Sequence, residues 1–156
     1  MSEYTFLSRS PEETERLGEG LAKRLQAGDV VALSGELGTG KTTLVRGIAR
    51  GLGVKEDEVA SPSFTIINEY PSSPPLYHID FYRLSKREEL TEIGFWEYLG
   101  GEGIVVIEWA DRIPEAIPPA SIWLTLRFRQ GEEREIRVKG EGEIFKRIVE
   151  ELMRRG

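Results

Sequence analysis

Residues 35–43 read GELGTGKTT, and from Gly35 to Thr42 every fixed position of the phosphate-loop pattern G-x-x-x-x-G-K-[ST] is filled. Such a loop has to leave the end of a strand, turn its amides inward and hand them to a helix N-terminus, where free N–H groups and the helix dipole both favour a phosphate. The flanks meet that demand. Asp29-Val30-Val31-Ala32-Leu33-Ser34 is a short apolar run suited to a buried strand, while Leu44, Val45, Ile48, Ala49 and Leu52 recur at helical spacing as far as Gly53. The candidate nucleotide contacts are therefore Gly35, Glu36, Leu37, Gly38, Thr39, Gly40, Lys41, Thr42 and Thr43. Lys41 can reach the terminal phosphates and the Thr42 hydroxyl can ligate magnesium. A glycine-rich turn with no ligand would explain neither residue.

Composition narrows what else the chain can do. At 156 residues it suits one compact domain, with residues 1–156 forming a single P-loop unit. It has no cysteine and a single histidine, so disulfides, thiolate catalysis and histidine-rich metal sites are excluded, and any metal must be a hard cation held by oxygen. No apolar run is long enough to span a bilayer, and Met1 to Ser8 carries no basic-then-apolar leader, so no membrane contact and a cytoplasmic location are expected. The net charge of −6 argues against broad attachment to nucleic acid. Arg127, Arg129, Arg134, Arg137 and Lys139 could form a local basic patch, but solvated strand faces explain them more simply.

Along the chain, Tyr4–Ser8 suits a first strand, and Ser10-Pro11-Glu12-Glu13 opens a helix with a hydroxyl cap and a capping box. That helix is expected to run to about Ala27-Gly28, with Leu17, Leu21, Ala22 and Leu25 as its apolar stripe. Phe64–Tyr70 and Leu76–Phe81 read as strands around a Pro71–Pro75 turn. Lys86–Leu99 is mostly helical but broken at Gly94, and Gly103–Trp109 is an apolar strand ending in an acid. Ser121–Arg129 and Glu133–Lys139 alternate about Gln130-Gly131-Glu132 as a second hairpin, and Glu143–Arg154 is a last amphipathic helix burying Ile144, Ile148, Val149 and Leu152. The fold class is α/β: a single P-loop NTPase-like domain with a mixed sheet flanked by helices and a C-terminal antiparallel hairpin.

Hydrolysis of a bound nucleotide needs an acid near magnesium and a group that orients or deprotonates water. Asp80 and Glu108 each close a strand and are candidates for both roles, with Lys41 as the third catalytic candidate; Thr42, Asp80 and Glu108 form the candidate metal set. Spacing does not divide the roles between the two acids. Ser61, Pro62, Ser63, Phe64 and Thr65 lie between the loop helix and the next strand, where P-loop proteins often keep a nucleotide-sensing segment. Trp109 could pack over the site or face a partner, His78 shares a strand face with Asp80, and Arg83 could neutralise phosphate. No N-K-x-D guanine clamp is present, so ATP is favoured. A small-molecule kinase is the rival reading, but little chain is left for a lid and an acceptor site.

The segments GELGTGKTT, SPSFT, HIDFYRL and IEW, in this order and spacing, resemble the TsaE family, and the resemblance covers nearly the whole chain. It implies a small ATPase acting with the TsaB and TsaD proteins to make threonylcarbamoyladenosine beside the anticodon of tRNAs that read codons starting with A. By that similarity Gly35–Thr42 would hold the phosphates of ATP, Thr42 would sit on Mg2+, Ser61–Thr65 would be switch-like, Asp80 and Glu108 would be the site acids and Trp109 would lie beside them. Thr39 departs from the alanine usual in the family loop, at a variable position of the motif. The tRNA would be handled mainly by the partners, which suits an acidic chain.

Overall fold

A computed structural model describes residues 1–55 and 66–155. The chain runs β1 (Ser2–Ser8), α1 (Pro11–Ala22), β2 (Val30–Gly35), α2 (Lys41–Gly51), β3 (Ile67–Tyr70), β4 (Leu76–Asp80), α3 (Arg87–Glu92), β5 (Ile104–Glu108), β6 (Ile122–Phe128), β7 (Arg134–Gly140) and α4 (Gly142–Arg155). Short 3-10 turns at Phe95–Tyr98, Ala110–Arg112 and Pro114–Ala116 flank β5.

Seven strands form one sheet in the order β1-β7-β6-β2-β5-β4-β3. The four middle strands β6, β2, β5 and β4 are parallel, and the pairs β1–β7, β7–β6 and β3–β4 are antiparallel. A parallel strand is buried on both faces and should be apolar at every position. Val30, Val31, Ala32 and Leu33 of β2, and Ile104 to Ile107 of β5, satisfy this at 6% exposure or less. Odd and even positions feed different layers. Val31, Leu33, Ile104 and Val106 face α1, α2 and α4, where they meet Leu17, Leu44, Ile48 and Ile148; Val30, Ala32, Val105 and Ile107 face Phe81, Leu90, Phe95 and Ile113. The second layer is built from one short helix and tight turns.

The α1–α2 contact is unusually close. A Cβ on Gly18 or Gly47 would collide with the facing backbone at Leu44 and Glu15 respectively, so both positions are glycine for reasons of space. The Ser10 half of the expected capping box is present, with its Oγ accepting the Glu13 amide at 3.1 Å.

The helix α1 ends at Ala22, short of the expected Ala27-Gly28. The Lys23 and Arg24 amides bond back to Gly20 and Leu21 in a tightened turn, and the Asp29 carboxylate takes the Gln26 amide at 2.7 Å, so the chain is already turning towards β2. Leu25 stays buried, reached through a turn and not a helix. Ile66 lies in a bend and is not part of the strand expected over Phe64–Tyr70, whose first two residues lie outside the described residues. Val149 is half-buried; the fourth buried residue of α4 is instead Glu151, 3% exposed and ion-paired with Arg24, Arg154 and Arg155. In the basic stretch of β6 and β7, Arg137 pairs with Glu3 and Glu135, and Arg129 with Glu135, as expected for solvated strand faces.

Candidate nucleotide site

The site forms where β2, β4 and β5 end side by side. Gly35, Gly38 and Gly40 sit at φ 139°, 84° and 105°, left-handed conformations that a side chain resists, and Gly40 caps α2 so that Lys41 is its first residue. Thr39 is fully buried, and its Oγ1 donates to the Glu36 carbonyl at 2.8 Å, cross-tying the loop. Thr39, at a variable position of the motif, is thus a structural tie in this chain.

Lys41 is 5% exposed. Its Nζ donates to the Gly35 carbonyl at 2.5 Å and the Glu36 carbonyl at 3.0 Å, and stands 4.0 Å from the centre of the Trp109 ring. Burial holds its ammonium below the usual lysine range, against the opposing pull of Glu108, Asp111 and Asp80. A cation so placed is desolvated in advance and suited to a phosphate.

The register pairs Asp80 with Glu108 across β4 and β5. Their surroundings then differ. Glu108 is 2% exposed, and its Oε1 accepts the Thr42 hydroxyl at 3.2 Å. Asp80 accepts the Tyr82 amide at 2.8 Å. Burial raises the Asp80 carboxyl above the ordinary carboxylate range; the Tyr82 amide opposes this, and neighbouring Glu108 adds to it. The chain leaves β5 through a left-handed turn at Trp109, φ 58°, which lays the indole beside Tyr82 at 4.9 Å between ring centres.

Together these residues enclose a cavity of about 560 Å³, lined by Leu37, Gly38, Gly40, Lys41, Thr42 and Thr43 from the loop and helix, and by Asp80, Tyr82, Arg83, Glu108 and Trp109 opposite. The structure therefore gathers the loop, both acids and Trp109 into one place. Gly35, Glu36 and Thr39 hold the loop from behind. Ser61–Thr65 lie outside the described residues, and Ile66, which follows them, lines the cavity. Tyr82 was not singled out in the sequence, although its place two residues after a strand-end acid is the signal that could have marked it. Among the described residues no three His, Cys, Asp or Glu side chains cluster as an all-protein metal cage. A hydroxyl and one or two carboxylates are instead the sparse oxygen set that suits magnesium shared with phosphate oxygens.

A glycine loop at the carboxyl end of a central parallel strand, with its lysine and threonine at the start of the following helix, defines the P-loop class of nucleotide-binding domains. The family model described as "Threonylcarbamoyl adenosine biosynthesis protein TsaE" matches residues 8–136. The chain belongs to the TsaE family. It is similar to the tRNA threonylcarbamoyladenosine biosynthesis protein TsaE of Bacillus subtilis, 38% identical over 99% of this chain and 96% of that one. The Treponema pallidum protein of the same name is 41% identical over 85% of this chain and 97% of its own length. Among solved structures, YdiB of Bacillus subtilis superposes with a TM-score of 0.80 at 35% identity, covering 99% of this chain and 96% of that one. Family membership places the chain in tRNA threonylcarbamoyladenosine biosynthesis.

Proposed function

We propose that the chain binds and hydrolyses Mg-ATP, and that this cycle sets its association with the TsaB–TsaD pair and resets that complex between rounds of tRNA modification. The observation that carries the reading is the convergence of Lys41, Thr42 and Glu108 in one cavity, with Asp80 beside them. The loop amides and Lys41 bind the β- and γ-phosphates. Thr42 and Glu108 hold the magnesium ion, which when bound neutralises charge developing on the phosphates. Asp80, whose carboxyl takes up a proton more readily than an ordinary aspartate, orients and deprotonates the attacking water. Trp109 and Tyr82 wall off the opposite side, and Ser61–Thr65 sense the nucleotide. Substrate tRNA is engaged through the partners, in the cytoplasm where tRNA is modified. No helix among the described residues is long and apolar enough to cross a membrane.

The test is ADP and phosphate release by the chain alone and with TsaB and TsaD, together with a pull-down of those proteins with and without ATP. Turnover that rises with the partners, and binding that follows the nucleotide, are expected. ATP-independent association with no phosphate release would sink the reading. The acids are separated by magnesium-dependent ATP affinity: Glu108→Gln should weaken it, whereas Asp80→Asn should keep it and stop turnover. The reverse pattern exchanges their roles.

A further inference from the structure

His78 is the single histidine of the chain and lies on β4 at 1% exposure. The register places it opposite Val106 and places Asp80 opposite Glu108, so His78 points from the same sheet face as both acids, one step further from the strand ends. Its Nε2 stands 2.6 Å from Glu108 Oε2. The Thr42 hydroxyl lies nearer the other oxygen of that carboxylate, 3.2 Å from Oε1 against 3.5 Å from Oε2. With its hydrogen on Nε2, the imidazole donates to Glu108 Oε2, a carboxylate oxygen that accepts. His78 Nδ1 has no partner among the described residues, and the ring lies 6.5 Å from that of Tyr70. A lone pair can be left unmatched there at less cost than an N–H, which is the arrangement of an Nε2–H tautomer.

We propose that His78 is a positioning residue for the nucleotide site: it holds Glu108 by one oxygen from inside the sheet layer, so that the other oxygen faces Thr42 and the phosphate end of the cavity. A glutamate side chain has several torsions to fix, and a lone contact with Thr42 leaves the carboxylate free to swing. A second anchor at 2.6 Å removes that freedom before any ligand arrives. The inference rests on the reading of this cavity as the Mg-ATP site. If His78 served only to fill the layer, a leucine of similar bulk would replace it without effect on the chemistry.

The experiment compares His78→Leu, which keeps the bulk and loses the donor, with His78→Gln, whose amide nitrogen can occupy the place of Nε2. Expected are a loss of about 10- to 100-fold in kcat for His78→Leu, with magnesium-dependent ATP affinity weakened in the same direction as in Glu108→Gln and magnesium-free affinity unchanged, and recovery of most of both losses in His78→Gln. A His78→Leu/Glu108→Gln double variant should lose little beyond Glu108→Gln alone, because both changes act through one carboxylate. Wild-type turnover in His78→Leu, or full additivity in the double variant, overturns the proposal. Should the wild-type protein release no phosphate even with its partners, the hydrolase reading falls, and the histidine is judged separately by nitrogen NMR of the one imidazole. An Nε2–H tautomer whose Nε2 resonance moves in Glu108→Gln supports it; an Nδ1–H tautomer or an unmoved resonance overturns it.

Discussion

A carboxylate at 2% exposure needs partners for both oxygens, and Glu108 has His78 on one side and Thr42 on the other. Asp80, next to it in register, is less buried and its carboxyl is shifted upward chiefly by burial. A folded-state value above the unfolded one means that its contribution to stability is present below the unfolded carboxylate range and is lost as pH rises through the folded value. Ionised Asp80 therefore weakens the fold near neutrality. Asp80→Asn should raise the melting temperature at pH 7 by about 1–3 °C while abolishing turnover, with the gain shrinking to nothing in acid; thermal scans across pH check this. Lys41→Ala should cost ATP affinity about tenfold or more, read by calorimetry. The acids, the lysine and the hydroxyl were legible because motif chemistry requires them at strand ends and loop positions. The bond from His78 to Glu108 was not, since it joins residues from two strands whose register no local pattern encodes. Thr39 occupies a variable position of the motif, so the pattern alone gives no sign of the hydrogen bond its side chain makes to the Glu36 carbonyl.

Helix α2 carries the loop's lysine and threonine on its first turn, so its placement against α1 governs the site. That placement depends on backbone meeting backbone at Gly18 and Gly47. Gly47→Ala should push the helices apart, destabilising the protein by about 1–3 kcal/mol and lowering ATP affinity with it; denaturant unfolding and calorimetry on one preparation would show both. Helix α4 is docked by Glu151. Burial alone would raise that carboxyl, but Arg155, Arg24 and Arg154 outweigh it and hold it below the ordinary range. A depressed folded value gives stability that is present above the unfolded range and lost as pH falls through the folded one. Glu151→Gln should therefore be destabilised at neutral pH, with the gap to wild type closing in acid, as followed by urea unfolding against pH. Helices and strands were legible from periodicity. The end of α1 was not: it is set by Asp29, which also receives Arg147 from α4, and such a contact leaves no trace in helical spacing.

At the scale of the molecule, a mixed sheet was readable but its order was not. β6 lies directly beside β2 although 86 residues separate Gly35 from Ile122, and the Ser34–Thr125 hydroxyl pair at 2.8 Å hints at side-chain choice across that seam. Strand order follows from which apolar faces pack together, which is a property of the whole core. Since the loop bridges a central strand and a core helix, ligand binding should stabilise the entire domain. Mg-ATP at about 100 times its dissociation constant adds about 2.7 kcal/mol, or roughly 5–10 °C in melting temperature, and Lys41→Ala should abolish most of the shift in a thermal assay. One further property comes from the cavity wall. Leu37 and Tyr82 line the cavity and are also 75% and 42% exposed, so side chains that wall the proposed nucleotide site form part of the outer surface. In the proposed cycle, news of the nucleotide would have no distance to travel: a displacement of this wall would at once change the molecule's outline, with no relay through the core.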